Sequence, residues 1–234
     1  MPLITLCLLH VHCGNDDGGA PQTGYFAKTI ALGIAGSGMQ FDLEYDATNR
    51  IKREIITMGT DINQFEYLYN NAGLISSVLW NGTLFAHYQY DDSGILTKVE
   101  TYDSSSGSNL EYPVSHSDGT YSIPGLVPEI KVDRRGQLLH HPGLDLIVTH
   151  TEGPGVHGQL SPQPARYFGD IAAFCYYDLT FSQNAVASIV LRGTLYEARY
   201  TRDGNNNITS MELVEGSTGA LYQVWEITYE ERSL

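Results

Sequence analysis

Apolar and polar residues alternate with a period of two along most of this chain, the pattern of strands that bury one face and wet the other. Phe41, Leu43 and Tyr45 alternate with Asp42 and Glu44; Phe65, Tyr67 and Tyr69 recur at every second position, as do Tyr88 and Tyr90. Near the end, Tyr222, Val224, Glu226 and Thr228 fall on one face and Gln223, Trp225, Ile227 and Tyr229 on the other. Between these runs lie short clusters of Asp, Asn, Ser and Gly, of which Asn81-Gly82 between alternating apolar residues is the strongest hairpin signal. The expectation is an all-β chain: about a dozen strands in an antiparallel meander, with no helix beyond one short turn within 162–173. The sheet is expected to be strongly twisted and curled, or an open barrel.

The alternation is itself repeated. Segments 41–51, 65–75 and 86–96 superpose with Tyr45, Tyr69 and Tyr90 in register, at intervals of 24 and then 21 residues. Each has an alternating strand ending in Tyr, a turn beginning with Asp or Asn, a Gly or Asn that closes the turn, and an Ile or Leu that opens the next strand. The chemistry of the turn explains those residues. An Asp or Asn side chain bonds backbone N–H groups a few residues on, and Gly or Asn accepts the positive φ that closes a bulged loop. Asn49, Gly73 and Gly94 occupy that closing place. Weaker copies run through 130–138, 179–186 and 198–208.

Tyr90-Asp91-Asp92-Ser93-Gly94-Ile95-Leu96, with Tyr69 to Ile75 and Tyr45 to Ile51, resembles the YD repeats of RHS-type proteins. Several Bacteroidota lipoprotein families of unassigned function use the same unit. The resemblance implies a β-hairpin array and is silent about activity. In large RHS proteins such arrays form a shell around a toxin; this chain carries far fewer units and no toxin tail.

Two stretches break the rhythm. Residues 103–129 read as an irregular hairpin, and 139–171, rich in Pro and Gly, as a long inserted loop whose apolar pieces, Leu144 to Val148 and Ala165 to Phe174, pack over one sheet face. At the start, Leu3 to Val11 is an apolar run of signal-peptide length that ends near Cys13 and is followed by the acidic, glycine-rich Gly14 to Gly19. This arrangement resembles bacterial lipoproteins in which a lipidated cysteine precedes an acidic tract. It implies 1–13 as signal peptide and lipobox, 14–24 as tether, 25–234 as one β domain, and Cys13 as the lipidated residue of a protein held at the outer membrane surface. Cys175 is then alone in the domain, without an internal disulfide partner, and reads as a small buried hydrophobe.

Charge and chemistry narrow the function. With 13 Lys and Arg against 27 Asp and Glu the net charge is −14, which repels phosphate polymers and excludes nucleic acid as a partner. His140, His141, His150 and His157 share the long loop with Asp145 and Glu152, but no pair has ligand spacing, so solvated histidines are expected rather than a metal site. Asp203-Gly204-Asn205-Asn206-Asn207 opens like a calcium loop, yet Ile208 and Val214 stand where a Gly and a bidentate acid belong, which favours a plain hairpin turn. Asp91-Asp92 and Gly36-Ser37-Gly38 lack the partners that glycosidase or serine-hydrolase chemistry needs. No catalytic residue, cofactor or metal site is therefore expected. Aromatic residues at strand positions, above all Trp80, Trp225, Tyr88 and Tyr90, are candidates for a ligand face, with cross-strand packing as the alternative. The resulting expectation is a lipid-anchored, non-enzymatic binding or scaffold module for a protein partner, with a glycan-binding or glycan-processing accessory lipoprotein as the second reading.

Overall fold

The computed structural model describes residues 22–34, 37–103, 108–124, 127–160, 163, 165–166 and 179–234. Seventeen antiparallel strands follow one another: β1 (Thr23–Ile34), β2 (Ser37–Tyr45), β3 (Ile51–Met58), β4 (Asp61–Tyr69), β5 (Ile75–Trp80), β6 (Thr83–Tyr90), β7 (Leu96–Asp103), β8 (Ser108–Pro113), β9 (Ser115–Ser117), β10 (Thr120–Ile123), β11 (Val127–Val132), β12 (Leu138–His141), β13 (Leu146–Pro154), β14 (Asn184–Leu191), β15 (Thr194–Arg202), β16 (Ile208–Glu215) and β17 (Leu221–Ser233). Each strand pairs with the next in sequence except β8 and β9, and β1 also pairs with β17 from Thr23↔Ser233 to Gly33↔Val224. That last pairing bends the meander into a nearly closed barrel. Its one seam lies between β8 and β9, which are consecutive in the chain: β8 pairs back to β7 and β9 forward to β10.

The expected hairpin loop recurs five times, always at the same end of the barrel. Asp46, Asn70, Asp91, Asp133 and Asp203 each use Oδ1 to accept the N–H groups of the residues two and four further on. The loops close through Asn49, Gly73, Gly94, Gly136 and Asn206, all at positive φ. The next strand then opens with Ile51, Ile75, Leu96, Leu138 or Ile208, all buried. At 179–186 no such loop forms: Leu179–Phe181 is a single 3-10 turn leading into β14. This segment has neither the Asp that caps nor the Gly that accepts positive φ.

Tyrosines near this end have a separate task, and in three of the five loops the tyrosine stands immediately before the capping residue, as Tyr45-Asp46, Tyr69-Asn70 and Tyr90-Asp91. Two neighbouring strands diverge toward this end because each enters its own loop, which leaves a carbonyl beyond the last ladder bond. Tyr45, Tyr69 and Tyr90 donate their hydroxyls to the carbonyls of Ala27, Ile51 and Ile75, each at 2.6 Å; Tyr229 reaches Ile208 at 3.1 Å, and Tyr200 reaches Val186. Burial pushes Tyr69 up to about 12 and the other four higher still, so all five stay protonated donors. The motif thus satisfies backbone groups that would otherwise be buried and unpaired. We call this end the Asx rim. At the opposite rim the strands join through short turns such as Gly59-Thr60, Asn81-Gly82 and Arg192-Gly193.

Inward positions build one continuous core. Phe41, Ile56, Phe65, Tyr67, Val78, Tyr88, Val99, Ile130, Leu146, Ile189, Leu213 and Trp225 are all buried. Described residues between β13 and β14 add to it: Val156, Ala165 and Leu179 pack in the same cluster. The sequence expectation of a loop over 139–171 needs one revision, since most of β12 and all of β13 fall within it. Leu146 and Val148 are buried there while Ile147 and Thr149 face out, a strand alternation that the flanking prolines obscured.

The barrel wall is polar outside. Glu44, Arg53 and Glu66 stand side by side across β2, β3 and β4, with Arg53 at 3.1 Å from Glu44 and 3.6 Å from Glu66. Across β7 and β8, Lys98 lies 2.6 Å from Glu100 and 3.5 Å from Glu111. Each pair contributes little to stability at such exposure, but together they place charge where a membrane-spanning barrel carries its apolar band.

Removing one tyrosine hydroxyl tests the rim account. Tyr90→Phe is expected to lower unfolding free energy by about 1–3 kcal/mol, because the carbonyl of Ile75 loses its donor. Gly94→Ala, at φ +82°, is expected to cost about 1–2 kcal/mol. Urea denaturation of both variants decides; unchanged midpoints would contradict the assignment.

Candidate functional site

Few charged groups enter the barrel, and two of them meet. Glu54 on β3 points inward between Leu43 and Phe65 and is fully buried. Arg166, from the inserted segment, lies in the same space at 6 % exposure and donates from Nη2 to Glu54 Oε1 at 2.8 Å. Tyr67 donates its hydroxyl to Glu54 Oε2 at 2.8 Å, and the Arg166 guanidinium stands 4.6 Å from the Tyr67 ring centroid. Each carboxylate oxygen is therefore occupied, which is the condition for burying a charge tolerably.

Three residues before Arg166, Gln163 fastens the insertion to the Asx rim. Its Oε1 accepts the N–H of Ile75 at 3.1 Å and its Nε2 donates to the carbonyl of Gly73 at 3.3 Å. Gln183 supports the same region by donating to the carbonyl of Leu160. Gly155 passes so close to the chain that a Cβ there would sit 2.2 Å from the carbonyl oxygen of Ser182, so only glycine fits. The insertion is thereby a plug, held from inside by an ion pair and at the rim by an amide. A cavity of about 500 Å³ remains between plug and loops, lined by Arg50, Tyr69, Gln159, Gln163 and Arg166 among others. Its cations are already engaged: Arg50 lies 2.7 Å from Asp46 and over the Tyr69 ring at 4.3 Å.

Burial sets the electrostatics. His157 is pushed down to about 3, mainly by desolvation and further by the Arg166 charge, so it is neutral at pH 7. Desolvation also lowers His141 and His150, the latter held 2.9 Å from Ser182 Oγ. Asp46 is drawn down to about 2: its desolvation is outweighed by the hydrogen bonds from Arg50 and Thr48. Among the described residues no group of three or more His, Cys, Asp or Glu is arranged to hold a metal ion. The four loop histidines are separated: His141 and His157 are buried, His150 is bonded to Ser182, and His140 lies opposite Ile147 on β13. In the calcium-like loop both oxygens of Asp203 are spent on Asn205 and Asn207.

The aromatic candidates are scattered rather than gathered. Trp225 is fully buried, Tyr88 is 3 % exposed, and Tyr90 turns its hydroxyl to Ile75 at the Asx rim. Trp80 stands at the opposite rim, 46 % exposed, with its indole N–H on Asn63 Oδ1 at 3.0 Å and its ring edge-on to Phe85. Cys13 and Cys175 lie outside the described residues. The Glu54–Arg166 pair was not anticipated; the one available signal was an acid in the buried phase of β3, at the position where Ile56 and Met58 are apolar.

The fold and this interior define a plugged β-barrel with a polar wall. No protein-family model matches the chain, and no curated protein is similar to it. Among solved structures it is similar to a porin-like protein from Bacteroides uniformis, with a TM-score of 0.48 and 14% identity over 87% of this chain and 98% of that one. A porin-like protein from Bacteroides vulgatus gives a TM-score of 0.40 and 12% identity over 88% and 99%. The TcdB2-TccC3-Cdc42 structure gives 0.30 and 17% identity over 80% of this chain and 9% of that one.

Breaking the plug latch has a defined cost. Arg166→Met leaves Glu54 buried without its cation and is expected to destabilise by about 3–5 kcal/mol, whereas Glu54→Leu with Arg166→Met should recover much of that loss. Acid sensitivity follows from the histidines. A His lowered on folding binds its proton in the unfolded chain first, so stability is complete above about pH 6.5 and declines as pH falls toward 3. A melting temperature that is flat from pH 7 to 4 would contradict this, and His157→Asn should make the decline shallower.

Proposed function

We propose that this chain is a lipid-anchored, surface-displayed β-barrel that acts without catalysis as a binding module for a protein partner. The observation that carries this reading is the filled interior behind a charged wall. Val156, Ala165 and Arg166 of the insertion lie inside the barrel, with Arg166 paired to Glu54, and an interior occupied by the chain's own residues favours interaction at the outer surface. The anchor rests on Leu3 to Val11 and Cys13. Gln22, the first described residue, continues into β1 at the Asx rim, where the carbonyl of Gln22 also accepts the N–H of Leu234. An anchor at Cys13 would therefore turn the Asx rim toward the membrane and the opposite rim away from it. The glycan reading has less support, because Trp225 and Tyr88 are enclosed in the core and Trp80 stands without a second exposed candidate beside it.

Two measurements test the reading. Cys13→Ala is expected to move the protein from the membrane fraction to the soluble fraction and to abolish its removal from intact cells by added protease; a variant that stays membrane-bound would overturn the anchor. A photoreactive amino acid scanned over exposed positions at both rims (47, 72 and 93; 62, 195 and 221) should give a discrete adduct with a second protein. Absence of any adduct at every position would overturn the binding role.

A further inference from the structure

Exposed apolar side chains are normal when scattered, and informative when they gather. Ten large hydrophobic residues are exposed among the described residues, and eight of them, Ile62, Trp80, Leu84, Tyr102, Leu110, Ile147, Leu195 and Leu221, lie at the rim opposite the Asx loops. Only Leu68 and Leu234 belong to the other end. Going around the barrel, five come from the consecutive strands β4 to β8 and three from β13, β15 and β17. In the second group Ile147, Val190 and Leu195 are direct cross-strand neighbours, as are Val214 and Leu221.

The interval between the two groups is occupied by β1 to β3. There the chain supplies Gly33 and Gly38, paired across the hairpin, and a Cβ at either would meet nothing within 4 Å. The result is a cavity of about 830 Å³, bounded by Leu32, Met39, Leu221, Tyr222, Gln223 and Val224 and predominantly apolar. Gln223 is 1 % exposed and donates from Nε2 to the carbonyl of Gly33 at 3.0 Å, while its Oε1 has no hydrogen-bond partner among the described residues. Acids fringe the same rim: Asp61 beside Ile62, Asp145 before Ile147, Glu215 before the last turn, and Glu226 at the cavity, against Arg192 as the cation of these turns.

We infer that this rim docks a protein segment that is apolar at its centre and carries lysine or arginine at its edge, with one apolar side chain seated in the cavity beside Gln223. The inference rests on the binding-module reading and assigns that module its face and the chemistry of its partner. The occupant is cationic rather than acidic because the fringe is anionic, and charge of that arrangement steers a partner of opposite sign while rejecting one of like sign. An anionic lipid surface is disfavoured on the same ground.

The test uses the full chain and defined probes: three synthetic peptide sets, in which leucine and tryptophan alternate with lysine, with glutamate or with serine, followed by fluorescence anisotropy. The lysine set is expected to bind saturably and at least tenfold more tightly than the glutamate set. Leu195→Asp and Leu221→Asp, both solvent-exposed changes that leave the core intact, should each weaken binding at least tenfold, and Glu226→Lys should narrow the preference for the lysine set. Equal binding of the lysine and glutamate sets would overturn the inference, as would binding untouched by the rim substitutions. The photoreactive scan separates the two levels: adducts from 47, 72 and 93 alone would sink the rim while leaving the binding module standing. Adducts between copies of this chain at 195 and 221 would replace the partner by a second protomer and overturn the assignment.

Discussion

The pairing of β1 with β17 is the constraint on which the rest of this molecule depends. A meander of seventeen strands has exposed edges and an apolar face that nothing covers; when the first strand finds the last, the face is enclosed and the exposed edges shrink to the short pair at β8 and β9. The contact is reinforced at the Asx rim. Arg232 on β17 donates to Asn49 Oδ1 and to the carbonyl of Asp46, and Asn49 donates to the carbonyl of Ser233. The first repeat loop is thus tied directly to the end of the chain, across β1. Closure leaves one short seam at β8 and β9, and it creates an interior that must be filled. Val156, Ala165 and Arg166 of the insertion enter it, at the cost of burying one ion pair, whose geometry is good enough to hold.

The repeat and the closure solve the same difficulty on two scales. Where strands separate to enter their loops, the tyrosine hydroxyl and the Asp or Asn carboxyl or amide oxygen take the backbone groups that the ladder no longer reaches. Tyr69 and Asn70 do this for β3 and the β4–β5 loop with the same geometry as Tyr90 and Asp91 one repeat later. The two ends of the barrel consequently differ in kind. One is stitched by polar side chains and carries both termini of the described barrel; the other is made of tight turns and gathers the exposed apolar residues.

Much of this was legible in the sequence because it is local. The period of two gave strand faces, and Asp91 to Leu96 announced its loop through residues whose turn chemistry is short-range. The copies at Asp133 and Asp203 obey the same rule despite weaker flanking patterns. What was not legible depends on contacts far apart in sequence. Nothing near Glu54 signals that Arg166, 112 residues later, will meet it. Trp225 and Trp80 look alike as strand aromatics, yet one is sealed by closure and the other left at a rim, a difference fixed by which strands become neighbours. The apolar rim likewise emerges from topology: Ile62, Leu195 and Leu221 are single residues beside unrelated turns until the barrel brings them to one end.

Hydrogen exchange measured by mass spectrometry on the full chain in detergent-free buffer addresses closure most directly. With β1 sealed to β17, peptides covering 23–34 and 221–233 should exchange as slowly as those covering β4 to β6, since opening them requires the barrel to unfold. If those two segments exchanged within seconds while β4 to β6 stayed protected, the ends of the sheet would be unpaired, and neither the filled interior nor the assembled rim would survive.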